Sequence, residues 1–545
     1  MNRYKVLITI VTALCSLLPA LLYSQVDTAW VRRYNGPPNS PDEAYAIAVD
    51  GTGNVYITGY SYGSGSARDY ATVKYNALGV EQWVQRYNGP GNGDDEASSI
   101  TKDGQSNVYV TGACYGSGTG YDYTTIKYYP NGDTAWIRIY NGPINGSDYA
   151  RAIAVDDSGN VYVTGVINGY DAARDYATIK YNSNGDTVWT RIYNGPANNA
   201  DGAYALAVDD AGNVYVTGWS YGSGDDYLTV KYNSNGDTVW TRRYNGPTNF
   251  ADCAVAITVD DAGNVYVTGG SQGVGSTYPE DYATIKYNSS GVQQWVQRYN
   301  GPGDYVDEAY AIAVDDSGNV YVTGRSYASG TNYDYATIKY NPAGVQQWVQ
   351  RYNGPGNGYD YAYSLALDGQ ENVYVTGYST GSGTSYDYAT IKYNPASVQQ
   401  WLIRYNGPGN STDGAYAMAV DGSGNVYVTG GSYGSGTSVD YATIKYVQTS
   451  GIEEIASLPL AKTSRVEVYP NPARSFFVVR MPQTLNQVQG DKCVVKIFDV
   501  SGKMVKVLES FGVKELRVPL KGINPGIYFL QINNVPTLKK LVITK

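Results

Sequence analysis

At 545 residues the chain is long enough for two to four domains, and 64 Gly, 58 Tyr and 9 Trp suit short strands joined by tight turns. It contains no histidine, which excludes His general bases, Ser-His-Asp triads and His-ligated zinc together. The net charge of −10 divides into −19 over residues 25–446 and +8 over residues 463–545, so the acidic body excludes nucleic acid and anionic membrane surfaces as partners.

In chain order, Arg3 and Lys5 precede an apolar run from Val6 to Leu22, followed by Ser24 and Gln25. This reads as a secretory signal peptide over residues 1–24, leaving a mature protein without a transmembrane segment. Cys15 is removed with it. Cys114, Cys253 and Cys493 remain, with neither metal spacing nor a disulfide framework. They read as buried small hydrophobes.

From residue 25 to 446 the sequence repeats. YNGP begins at Tyr34, Tyr87, Tyr140, Tyr193, Tyr244, Tyr299, Tyr352 and Tyr405. A GNVYVTG-like segment and a DYATIKY-like segment keep the same step, usually 53 residues. A period of this size means an array, a solenoid or a propeller. Each unit holds four strand-like pieces, in the first copy AYAIAVD, NVYITG, DYATVKYN and QWVQRYN, joined between the first and last pairs by the short turns DGTGN and ALGVE. Four antiparallel strands per unit is the pattern of a propeller blade.

Close packing around an axis needs small residues inside and bulky ones at the rim. That places Ala44, Ala46 and Ala48 on the innermost strand and Trp83 and Tyr87 on the outermost. A Trp strand precedes the first Ala-rich strand, and none follows the last DYATIKY at Asp440–Tyr446. Residues 27–35 should therefore supply the outer strand of the eighth blade and close the ring, which leaves no open edge. The predicted fold is all-β: an eight-bladed β-propeller of four-stranded blades over residues 25–446. These units, through AIAVDxxGNVYVTG followed by DYATIKYN, resemble the seven-bladed β-propeller (SBBP) repeat family, although the count here is eight.

Residues 447–464 lack the repeat anchors and read as a linker. Residues 465–545 contain VEVYPNPARSFFVV, VKIFDVSGKMV and GINPGIYFLQI, whose alternation suggests a small Ig-like β-sandwich. This region is similar to the type A C-terminal sorting domain of the type IX secretion system. The resemblance implies a Bacteroidota source, the secretion machinery as partner, and removal of the domain after passage to the cell surface or beyond.

A residue present in every blade is framework, and one that departs from the pattern is a candidate for function. The Asp that opens each first strand (Asp42, Asp95 and their counterparts) recurs eight times and reads as an acceptor for backbone N–H groups, with an acidic channel ring as the alternative. The DDSGN turns lack calcium-loop spacing, so no metal, cofactor or catalytic residue is assigned. Only the link between the second and third strands varies in length, shortest in blade four and longest in blade five. There Trp219, the one tryptophan outside the outer strands, joins Tyr221, Tyr278 and Glu280 as a candidate ligand site. Tyr, Ser, Gly and Asn in loops make an adaptable contact chemistry, so the leading function is a binding or scaffold module for glycan or protein. An acidic aromatic surface suits neutral glycans or basic proteins. A secreted carbohydrate-active enzyme using a carboxylate pair and a purely structural surface protein are the alternatives.

Overall fold

The computed structural model describes residues 25–449 apart from 66, 170–172, 223 and 274–279, together with the strand residues and positions 523–524 of the C-terminal region. The leader 1–24 and the linker beyond Thr449 lie outside these residues. The chain divides into two compact units, one of which is Val26–Gln448.

Each repeat folds into four antiparallel strands hydrogen-bonded in sequence order. In the first blade these are Asp42–Val49, Val55–Tyr62, Arg68–Tyr75 and Glu81–Tyr87. Seven blades use four consecutive strands. The eighth takes its outer strand, Gln25–Tyr34, from the start of the repeat region and pairs it with Val439–Thr449. The unit is thus a closed eight-bladed ring, as the displaced Trp strand predicts, and its last strand runs past Tyr446 into the expected linker. Among the described residues there is no helix.

The turn between the first two strands is held by one side chain. Asp50 Oδ1 accepts from the backbone N–H groups of Thr52 (2.9 Å) and Asn54 (3.0 Å). Burial would raise this carboxyl, but the hydrogen bonds from Thr52 and Asn54 outweigh it and hold it well below its ordinary range. Gly53 sits at φ +79°, which glycine adopts without cost. In blades two and seven Ser106 and Glu371 occupy that place at φ 63° and 60°, a local strain the other blades avoid.

The buried second strand explains its own repetition. Val108, Tyr109 and Val110 are fully buried, and the TG glycine fills a place where no side chain fits. A Cβ on Gly112 would lie 2.0 Å from the Glu96 carbonyl and 2.8 Å from the Tyr70 hydroxyl of the preceding blade. At the rim each outer Trp is wedged between its own blade and the next. Trp30 lies 6.2 Å from Tyr427 of blade eight and 6.1 Å from Tyr75 of blade one, and its indole N–H donates to the Ala77 carbonyl (3.3 Å).

The Ala-rich first strand is innermost, as expected, with one feature that spacing does not show. In every blade the first strand carries a β-bulge; in blade one it falls between Ala44 and Ala46. The extra residue, Tyr45, faces its neighbours around the axis, while Ala44 is buried within the blade. Alternation alone does not register a bulge, which adds a residue without changing composition.

The C-terminal strands form an antiparallel three-stranded sheet (Glu467–Tyr469, Phe476–Arg480, Glu515–Pro519) and an antiparallel four-stranded one (Met504–Phe511, Lys492–Asp499, Gly526–Ile532, Leu538–Ile543). Their packing as an Ig-like sandwich lies outside what these residues describe.

Because Trp30 is 7% exposed and bridges the two ends of the ring, Trp30→Ala should cost about 3–5 kcal/mol. Denaturant unfolding of the full chain measures this. A change within about 0.5 kcal/mol would contradict the closure.

Candidate functional site

The strand order puts two kinds of connection on one end of the ring: the YNGP loops and the links between second and third strands. The opening Asp of each blade braces that end. Asp42 Oδ2 accepts from Gly36 N–H (2.6 Å) and Oδ1 from Tyr62 N–H (3.2 Å), and Asp307 does the same for Gly301 (2.6 Å) and Tyr327 (3.0 Å). These carboxylates are buried, so they form a brace rather than an acidic ring at the mouth. A second brace joins the last three strands. Arg86 donates to the Ser61 carbonyl (2.8 Å) and Asp69 Oδ2 (2.8 Å).

On this frame a set of tyrosines and charged side chains that differ between blades lies at the same end. Around the axis the bulge residue is Tyr45, Tyr204, Tyr310, Tyr363 or Tyr416 in five blades. Tyr310, Tyr363, Tyr416 and Tyr45 touch in sequence across blades six, seven, eight and one, with centroids 5.2, 5.7 and 5.9 Å apart. Outside that arc lie two ion pairs with aromatic neighbours, one between blades one and two and one across the strands of blade six. Arg68 pairs with Glu96 and lies over the Tyr60 ring at 4.3 Å. Arg325 pairs with Glu308 at 2.5 Å, between Tyr333 (4.7 Å) and Tyr361 (4.9 Å). Tyr115, Tyr221, Tyr305, Tyr359 and Tyr433 are exposed near this end.

The predicted site residues fall on this face but in separate places. Trp219 is half-buried in blade four, cross-strand from Gly202, where a Cβ would meet its Nε1 at 2.7 Å. Among the described residues no aromatic ring stacks on it, whereas Trp30 and Trp83 each have two tyrosine neighbours. Tyr221 is 37% exposed at the end of the same strand. Glu280 joins Glu308 rather than Trp219. A Cβ on Gly270 would lie 3.2 Å from Glu308 Cγ and 3.3 Å from Glu280 Oε2. Burial, then Glu308, push Glu280 above its ordinary value. Tyr278 lies outside the described residues. Cys114 is buried as expected, whereas Cys253 is only partly so; both are free thiols. Among the described residues no cluster suited to a metal occurs. The tyrosine arc and the arginine pairs escaped the sequence reading because it followed link lengths. Substitutions at fixed strand positions, such as Tyr60 against Arg325, carry the same signal.

The fold and this face define a repeat propeller with a tyrosine-rich loop end. A β-propeller repeat family model matches residues 29–65, 135–171, 188–225, 294–330 and 347–383, each span running from an outer strand into the first two strands of the next blade. The model of the secretion system C-terminal sorting domain matches residues 467–544. The chain therefore carries SBBP β-propeller repeats and a type IX sorting domain, and the protein is secreted, to the cell surface or beyond. No curated protein matches the chain. Similar solved structures include a fungal alcohol oxidase in complex with copper (13% identity, TM-score 0.40, covering 96% of this chain and 100% of that one). A protein of unknown function from Dyadobacter fermentans (9%, 0.37, 78% and 99%) and a eukaryotic initiation factor (8%, 0.35, 66% and 78%) are others. At these scores the likenesses carry no argument about activity.

The bracing aspartates make stability depend on pH. Burial, with a neighbouring aspartate adding to it, pushes Asp95, Asp148, Asp307 and Asp360 up to about 6 from 3.8, against the N–H donors that lower them. The folded protein then binds more protons than the unfolded chain between those values. Their contribution is fully present below 3.8 and is lost as pH rises through about 6. Turn aspartates such as Asp103 and Asp421, held below 3.8, lose theirs as pH falls through their lowered values. The melting temperature should rise from pH 8 to pH 5 and fall again in stronger acid. A thermal series at constant ionic strength checks this, and a curve flat from pH 5 to 8 would contradict it.

Proposed function

We propose that the secreted propeller is a binding module for a glycan, docked on the end that carries the YNGP loops. The observation that carries this reading is the tyrosine-rich face at that end, whose residues differ from blade to blade over a repeated frame. Tyrosine rings supply rigid contact area at little entropic cost and stack on sugar faces. A glycan array probed with the full-length protein tests it. Any ligand found should lose at least about 1 kcal/mol of affinity in Trp219→Ala if the blade-four edge takes part. Unchanged affinity, with the fold intact, would remove Trp219 and Tyr221 from the site.

A second reading, glycoside hydrolysis, is favoured by Glu280 and Glu308 at Gly270. One carboxyl raised by burial beside another is the arrangement that separates acid from base. New reducing ends from a bound glycan, lost in Glu280→Gln, would select it.

The proposed mature product ends within 447–464, after removal of residues 465–545 as the sorting signal. Deletion of 465–545 should leave a folded propeller in the periplasm, measured by cell fractionation. Normal secretion of that truncation would contradict the assignment.

A further inference from the structure

The tyrosines around the axis give way in blades two and three, whose bulges supply Ser98 and Arg151. A cavity of about 330 Å³ opens there, lined by Tyr45, Glu96, Ser98, Tyr149, Arg151 and three alanines. That volume lies within the range of small-molecule sites, about 300–1,000 Å³. Arg151 is exposed, and its guanidinium lies 5.7 Å from the Tyr149 ring. Among the described residues it has no ion-pair partner, whereas Arg68 and Arg325 each have a glutamate.

We infer that this cavity binds an acidic saccharide, a sugar ring bearing a carboxylate, with Arg151 taking the carboxylate. The inference rests on the glycan-binding reading and narrows it. A guanidinium without a partner presents its planar fork to a carboxylate, the geometry it meets with two parallel hydrogen bonds. Tyr45 and Tyr149 supply ring surface, and the alanines leave a shallow floor. Glu96, paired on one oxygen with Arg68, keeps acceptor capacity for sugar hydroxyls. An acidic peptide has a carboxylate but few hydroxyls for Glu96.

The acidity of the whole propeller does not oppose an anionic ligand here. The turn aspartates such as Asp50 and Asp103 lie at the other end of the blades. Screening over about 8 Å at physiological ionic strength leaves the local charges in control. At the cavity these are Arg151 and Arg68 against Glu96 and Glu43.

Calorimetry on the full-length protein tests this with three probes: galacturonate oligomers, their methyl esters, and poly-glutamate. The acid oligomer should bind best, and Arg151→Gln should weaken it by at least about tenfold, as for loss of a charge-assisted contact. The ester should bind Arg151→Gln and wild type equally, and Arg174→Gln, an exposed arginine of the same blade, should leave all affinities unchanged. Ser98→Tyr, which restores the residue found in blade one, should block the cavity without touching the cation. It reads the site independently should Arg151→Gln fold poorly. Equal binding of acid and ester, a preference for poly-glutamate, or acid binding insensitive to both variants would overturn the inference. Neutral glycans bound without dependence on Arg151 would overturn it and leave the glycan reading standing. Binding of no glycan of either charge would remove both.

Discussion

One tyrosine hydroxyl per blade, donated across the blade boundary, is the contact on which the ring depends. Tyr70 of blade one donates to the Thr124 carbonyl of blade two (3.2 Å), and the same bond recurs from blade to blade until Tyr441 donates to Ala71 of blade one (3.0 Å). Each ring is buried, so a phenol left without its acceptor would carry the full cost of desolvation. A blade is therefore satisfied only when the next blade is in place. In an open array the last tyrosine would lack its acceptor, which is why the supply of the eighth outer strand from Gln25–Tyr34 matters energetically as well as topologically. The TG glycine belongs to the same contact, since the Tyr70 hydroxyl passes where a Cβ on Gly112 would stand.

The second set of inter-strand contacts shows how the frame tolerates change. Five blades of the run from four to eight pair a serine near the end of the second strand with an arginine of an outer strand, as Ser220 with Arg243 (2.6 Å) and Ser432 with Arg33 (2.6 Å). Blade one has Ser61 with Arg86. In blades two and three both members change together, to Cys114 with Ile139 and to Ile167 with Ile192. The physical reason is that an arginine in this position needs the serine hydroxyl and carbonyl as acceptors, while an isoleucine needs an apolar neighbour. Cys114 and Ile167 accordingly join the hydrophobic clusters of their blades. Asp122 of blade two, which lacks the arginine, keeps the Thr119 Oγ1 donor (2.7 Å), whose counterparts in blades seven and eight stand beside the arginine.

Much of the fold was legible because the signals that carry it are local. The alternation of NVYVTG, the Gly of each turn and the surplus Trp30 strand suffice for four strands, their order and the closure. The bulge was not legible, because Ala44–Tyr45–Ala46 alternates as a regular strand would. Only the pairing shows that Tyr45 leaves the ladder. That one residue transfers the axis from alanine to tyrosine, and with it the character of the mouth. The candidate site was read from link lengths, which found Trp219 and Glu280. Their separation follows from the blade geometry: Trp219 lies over Gly202 of its own blade, and Glu280 meets Glu308 of the next. Contacts across a blade boundary join residues far apart in sequence, as Arg68 joins Glu96, so no spacing rule within one repeat exposes them.

A repeat protein separates two constraints that coincide in most enzymes. Frame residues such as Tyr70, Asp42 and the TG glycine touch a neighbouring unit, so a change in one is felt at a boundary and must be matched there. The paired exchange to cysteine and isoleucine is what such matching looks like. Residues at the loop end, such as Tyr60, Trp219, Gly270 and Arg325, occupy one equivalent position and differ in size, charge and aromaticity, and so do their partners on the first strand, Glu43, Gly202, Cys253 and Glu308. Eight copies of one frame thus hold eight different side-chain pairs around a single axis. The tyrosine arc on one side and the gap at Ser98 and Arg151 on the other make that axis asymmetric. An asymmetric mouth on a symmetric ring is what recognition of a single, oriented ligand requires.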